Sequence, residues 1–123
     1  MQKSTLEKGK WAEEKACDYL IKKSYTVLHR NWGAERGDID IIAREGNRII
    51  FVEVKGGISE KYGPPELRLT YAKKRQLYKL ASLYIRDTDP SGSSDVDYQF
   101  DVIVVDGHPG KYEIRHYENA FYL

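Results

Sequence analysis

At 123 residues the chain is long enough for one domain with a real core and too short for two. Charged residues reach 32% yet nearly cancel to a net +1, which excludes a strongly basic nucleic-acid tail and an acidic solvating tail while allowing a local basic face. The single Cys17 excludes an internal disulfide and a Cys-rich zinc site; with no signal peptide or membrane-length apolar run, a reduced, cytoplasmic protein with no membrane partner is expected. His29, His108 and His116 lack metal-ligand spacing, and no internal repeat, phosphate-cradling loop or GxSxG elbow is present.

Taken in order, Ser4 or Thr5 caps a first helix predicted to run to about Lys23. Leu6, Ala16, Cys17 and Leu20, with Gly9, fall on one stripe at about 100° per residue, and Glu13 lies near its middle. Glu14 turns towards the edge and water. A carboxylate centred on an apolar stripe either pairs with a lysine at the rim or serves a site. Tyr25 to Asn31 reads as a short strand, and Trp32 to Gly37 as a loop. Ile39 to Ala43 and Ile49 to Val54 are β-rich runs around Glu45-Gly46-Asn47, the pattern of a hairpin.

After Lys55, Gly56-Gly57 opens a polar segment through Pro64-Pro65, expected to be an irregular flap. Its Lys61 either meets phosphate or is solvated. Thr70 is the predicted N-cap of a second helix reaching about Arg86, with Leu77, Leu80, Ala81 and Tyr84 as its apolar stripe. Lys73 lies one turn before Leu77 on that stripe, flanked by Lys74 and Arg75. Its stem can lie on the core with the head in a site, or the head can point to water. Asp87 to Asp95 reads as a loop, Tyr98 to Val105 as an apolar strand and Tyr112 to Tyr117 as an edge strand. The order predicts a mixed α/β (α+β) sheet with flanking helices, residues 1–123 forming one domain.

The second hairpin run is apolar on both faces through Ile49, Ile50, Phe51 and Val52, as in the middle strand of a sheet. Such a strand ends in Glu53 and Lys55, which share a face, as Asp38 and Asp40 do on the first run. Buried charges need partners or a metal. Phosphodiester hydrolysis asks for hard divalent cations on oxygen ligands and for a cation near the transition-state charge. Asp40, Glu53 and Glu13 supply carboxylates, Val54 a backbone carbonyl, and Lys55 the ammonium. Mg²⁺ or Mn²⁺ is the expected cofactor. Three such negative groups without metal raise the pKa of one carboxylate.

These residues carry a resemblance. Asp40 and Glu53-Val54-Lys55 across a hairpin, after a helix bearing Glu13, resemble the PD-(D/E)xK nuclease superfamily with its restriction-endonuclease-like αβββαβ core. Within it the chain is similar to the YraN family of small bacterial endonuclease-like proteins, related in fold to Holliday-junction resolvases. The likeness runs through the Gly9 to Tyr19 helix, Asn31, Gly37 to Ala43, Phe51-Val-Glu-Val-Lys55, Lys73 with the Leu77, Ala81 and Tyr84 stripe, Phe100-Asp101-Val102, and Asn119-Ala120-Phe121. The resemblance implies catalytic places for Asp40, Glu53 and Lys55, with Glu13 as the helix carboxylate. Asp38 supports the site where the family usually has glutamate. Gly56-Gly57 stands where Thr or Ser and then Arg are usual, and Gln99 where Arg is usual.

The expectation is a divalent-metal-dependent endonuclease acting on DNA, including branched or damaged forms, with Lys61, Lys73 and Lys74 as nucleic-acid contacts. Cutting both strands asks for two sites, hence a homodimer. The alternative is a catalytically silent nuclease-fold module that binds nucleic acid or protein. A third reading makes Glu53, Lys55 and Asp38 cross-strand pairs on an exposed face, against which Phe51 and Val52 argue by their apolar character on opposite faces.

Overall fold

The computed structural model describes residues 5–34, 37–56 and 69–122. Its elements are α1 (Thr5–Lys22), β1 (Thr26–Ala34), β2 (Gly37–Glu45), β3 (Arg48–Gly56), α2 (Tyr71–Thr88), β4 (Asp97–His108) and β5 (Lys111–Tyr117). The five strands form one sheet in the order β1-β2-β3-β4-β5. β3 and β4 pair in parallel across the α2 crossover, and the other neighbours are antiparallel. The αβββαβ order and the mixed sheet expected from sequence are therefore present, with β5 added at one edge.

β3 is central because its sequence has no polar face over its first half. Ile49 and Phe51 join Ile42, Val102, Val104, Leu77, Leu80, Ala81 and Tyr84 in one cluster, on the α2 side. Ile50 and Val52 face the other way into a cluster with Ala12, Ala16, Cys17 and Leu20 of α1. A strand covered on both faces can afford no solvated alternation, which is why this run reads as continuous hydrophobicity. Thr70 caps α2 as expected, its hydroxyl accepting from Lys73 N at 3.0 Å.

One boundary differs. Trp32 to Gly37 does not begin as a loop: β1 continues to Ala34, with Trp32 opposite Ile39 and Gly33 opposite Asp38. Packing holds it in the sheet, since the Trp32 ring meets the Tyr84 ring edge-on at 5.2 Å beneath α2. β1 accommodates this extension through a register shift between Val27 and His29, and Asn31 takes φ +50, a left-handed conformation that Asn tolerates. At the start of β2, Gly37 has φ +126, and a Cβ there would collide with the Gln76 side-chain amide of α2. The expected flap after Gly56, with Gly57, Lys61 and Pro64-Pro65, lies outside the described residues.

Candidate active site

The site arises where two strands part. The β2–β3 pairs run from Glu45 opposite Arg48 to Ile41 opposite Val52, and there the ladder ends. One residue beyond, the Asp40 side chain takes the place of a backbone partner: its Oδ2 accepts from Val54 N at 2.8 Å. The N–H and C=O of a strand residue project to the same side, so the Val54 carbonyl also points towards β2, past the last pair.

Glu53 precedes Val54, on the α2 side of the sheet with Ile49 and Phe51. It is only 7% exposed, and among the described residues its Oε2 has no hydrogen-bond partner. The Asp40 carboxyl lies close enough to Glu53 to feel it strongly. Burial, then the hydrogen bond and charge of Glu53, push Asp40 from 3.8 up to about 9, against the opposing pull of the Val54 N–H. Burial and the neighbouring Glu53 thus favour the protonated form of Asp40. The two carboxyl-bearing side chains thus lie together at the point where β2 and β3 part, Glu53 buried and Asp40 half-buried.

The surrounding residues divide. Lys73 Nζ reaches to 3.6 Å from Glu53 Oε2, so its head does enter the site from the first turn of α2. Glu13 is half-buried on α1 and accepts from Asn31 Nδ2 at 2.9 Å, a partner from β1 rather than a lysine at the rim. Its charge is felt at Asp40 but it is the smallest of the contributions there. Among the described residues no group of three His, Cys, Asp or Glu side chains is placed to hold a metal ion. Asp40 and Glu53 are thus the joined pair, and Glu13 stands apart from them. Lys55 is half-buried two residues beyond Glu53 on the same face; Asp38 is half-buried opposite Gly33. Lys74 lies with Nζ 5.7 Å from the Phe121 ring centroid, and Lys61 falls outside the described residues.

The donor set fits a hard divalent cation. It offers carboxylate and carbonyl oxygens with no sulfur or imidazole, and Mg²⁺ characteristically takes one or two carboxylates and keeps waters. Glu53 Oε2, buried without a hydrogen bond, is the atom that most calls for one.

A second polar network was missed from sequence. Asp101 is fully buried, accepting from His116 Nε2 at 2.7 Å, Gln99 Nε2 at 3.0 Å and Asn119 N at 3.1 Å. The other ring nitrogen, Nδ1, is hydrogen-bonded to the Tyr19 hydroxyl at 3.1 Å, which ties β5 to α1. The signal was available: a lone carboxylate between Phe100 and Val102 in an apolar strand requires partners. Gln99, where the resembling family usually has Arg, also accepts from Arg48 at 3.1 Å.

No described helix is long and apolar enough to cross a membrane. The sequence profile described as Uncharacterised protein family UPF0102 matches residues 12–105, from α1 through most of β4. A UPF0102 protein of Thermodesulfovibrio yellowstonii is 41% identical over 117 residues, covering 95% of this chain and 97% of its own. One from a Sulfurihydrogenibium species is 41% identical over 117 residues, covering 95% and 96%. One from Phocaeicola vulgatus is 37% identical over 116 residues, covering 94% and 93%.

Proposed function

Since the chain belongs to UPF0102, the family to which the YraN resemblance corresponds, its activity has to be read from its own site, and we propose that it is a divalent-metal-dependent endonuclease hydrolysing DNA phosphodiester bonds. The observation that carries this is the Asp40–Glu53 pair at the point where β2 and β3 separate, with a buried Glu53 oxygen that lacks a hydrogen bond.

Asp40, Glu53 and the Val54 carbonyl would hold Mg²⁺ or Mn²⁺, and Glu13 would add negative charge from α1. Bound there, the ion would supply Lewis-acid polarisation of a phosphoryl oxygen and charge neutralisation. The protein's own groups do the rest. Val54 N–H fixes the Asp40 carboxylate on one oxygen, so its orientation is set before substrate arrives. As a ligand Asp40 would have to be ionised, so metal affinity would rise with pH. Lys55, on the Glu53 face, positions the attacking water and offsets charge on the scissile phosphate. Lys73 exchanges its Glu53 contact for a substrate phosphate, with Lys74 next to it on the same helix.

Incubation with supercoiled plasmid and with branched DNA in Mg²⁺ or Mn²⁺ tests the proposal. Nicked and linear products should form with the wild type, disappear with chelator, and be lost in Asp40→Asn, Glu53→Gln and Lys55→Ala. Band shifts without products in both metals would leave a binding module instead.

A further inference from the structure

α2 carries a second pattern beside its core stripe. From Tyr71 to Arg86 the helix contains Lys73, Lys74, Arg75, Lys79 and Arg86 and no carboxylate. In a chain of net charge +1 this is a strong local excess of one sign. Two tyrosines are interleaved with the cations. Tyr71 is 68% exposed and Tyr78 is 44% exposed, large rings left in water on a helix that has a well-filled core face.

Their support is specific. Phe121 stacks on Phe100 at 4.8 Å and 28°, and Phe100 stacks on Tyr78 at 5.5 Å and 23°. Tyr78 is therefore the exposed end of a three-ring column that runs through Phe100 to the buried Phe121. Lys74 lies beside the base of that column, 5.7 Å from the Phe121 centroid. Tyr71 is backed by the Arg75 guanidinium at 5.8 Å. Seven residues of helix separate the two tyrosines by about 10 Å, close to the span of three stacked nucleotides. The same helix also carries Lys73, whose Nζ lies 3.6 Å from Glu53 Oε2.

We infer that the exposed face of α2 is a single-strand platform: unpaired bases stack on Tyr78 and Tyr71 while Lys74, Arg75 and Lys79 follow the phosphates. A base in a duplex has both faces covered by its neighbours and cannot extend the column, whereas an unpaired base can; stacking on such rings tolerates any sequence. The inference rests on the nuclease reading for its substrate and narrows it to DNA with unpaired stretches, such as flaps, gaps or frayed junction arms.

The test is fluorescence anisotropy of the full chain in chelator, so that binding is read without cutting. The probes are a labelled oligothymidylate of about 20 nucleotides and a mixed-sequence duplex of the same length. The single strand should bind more tightly. Tyr78→Ala and, independently, Tyr71→Ala should each weaken it by about 5- to 150-fold with little change for the duplex, and Tyr78→Phe should bind like wild type. Arg75→Gln should flatten the slope of log affinity against log salt by about 0.7. Tyr71 has the more exposed ring, so its variant decides the matter if Tyr78→Ala fails to fold. Preference for duplex, or single-strand affinity unmoved in both alanine variants, would overturn the platform. So would a change in sedimentation of Tyr78→Ala with unchanged DNA affinity, which would make the face a contact between copies. Tyrosine-dependent binding by a protein that never cuts would sink the nuclease reading and leave the platform; cutting with tyrosine-independent binding would do the reverse.

Discussion

Replacing Asp40 by Asn should stabilise the metal-free protein. The carboxyl is held up to about 9, compared with 3.8 in an unperturbed Asp, by burial first and then by Glu53. The folded chain thus retains a proton that the unfolded chain releases, and stability falls as pH rises from about 4 to about 9, after which it is level. The limiting slope for one proton is about 1.4 kcal/mol per pH unit. Removing a poorly compensated buried ionisable group stabilises proteins by about 1–4 kcal/mol, and here the gain should grow as pH rises. Asn keeps an oxygen to accept from Val54 N–H, so the backbone arrangement at the strand parting survives. Thermal melts in chelator at pH 4, 7 and 9 should show the variant above the wild type at pH 7 and 9 and level with it near pH 4. Each kcal/mol moves the midpoint of a chain this size by roughly 4 °C. Adding Mg²⁺ or Mn²⁺ should raise the wild-type midpoint and leave the variant unmoved. Parallel pH curves, or a variant less stable than wild type at pH 9, would refute the account of a protonated Asp40 beside Glu53.

Three further outcomes are expected. Glu53→Ala should abolish the calorimetric signal of Mn²⁺ binding, because it removes the buried unbonded Oε2; titration of both proteins checks this. Gly37→Ala should destabilise by about 1–3 kcal/mol, through its φ of +126 and the collision with Gln76, measured by urea unfolding. Asp101→Ala should cost about 3–5 kcal/mol by stranding His116, Gln99 and the Asn119 N–H, and should loosen the C-terminal tail, visible as faster hydrogen exchange at Asn119 and Ala120.

Much of the fold is legible from local pattern. Ile49 to Val52 cannot solvate either face, so β3 had to be central; Thr70 offers a hydroxyl where α2 has bare N–H groups; Glu45-Gly46-Asn47 turns the hairpin. β1 was read too short because Trp32 and Gly33 look like loop residues until the Tyr84 ring and the Ile39 and Asp38 partners are beside them. At the site, the residue types and their grouping could be proposed from sequence, but not the contacts that hold them. Period-2 alternation puts Asp40 on one face of its strand, yet it says nothing about where pairing with the next strand stops.

The amino-acid sequence alone determined the order of elements, the doubly buried central strand and the presence of carboxylates and a lysine at its end, because these follow from periodicity within a few residues. Tertiary structure alone decided that Asp40 accepts from Val54 N–H beside Glu53, that Asn31 bonds Glu13, and that Tyr19 meets His116 across the chain. Those contacts depend on register, on strand divergence and on the seating of two helices on opposite faces of the sheet. Such quantities are set by packing between distant segments, and no local pattern encodes them.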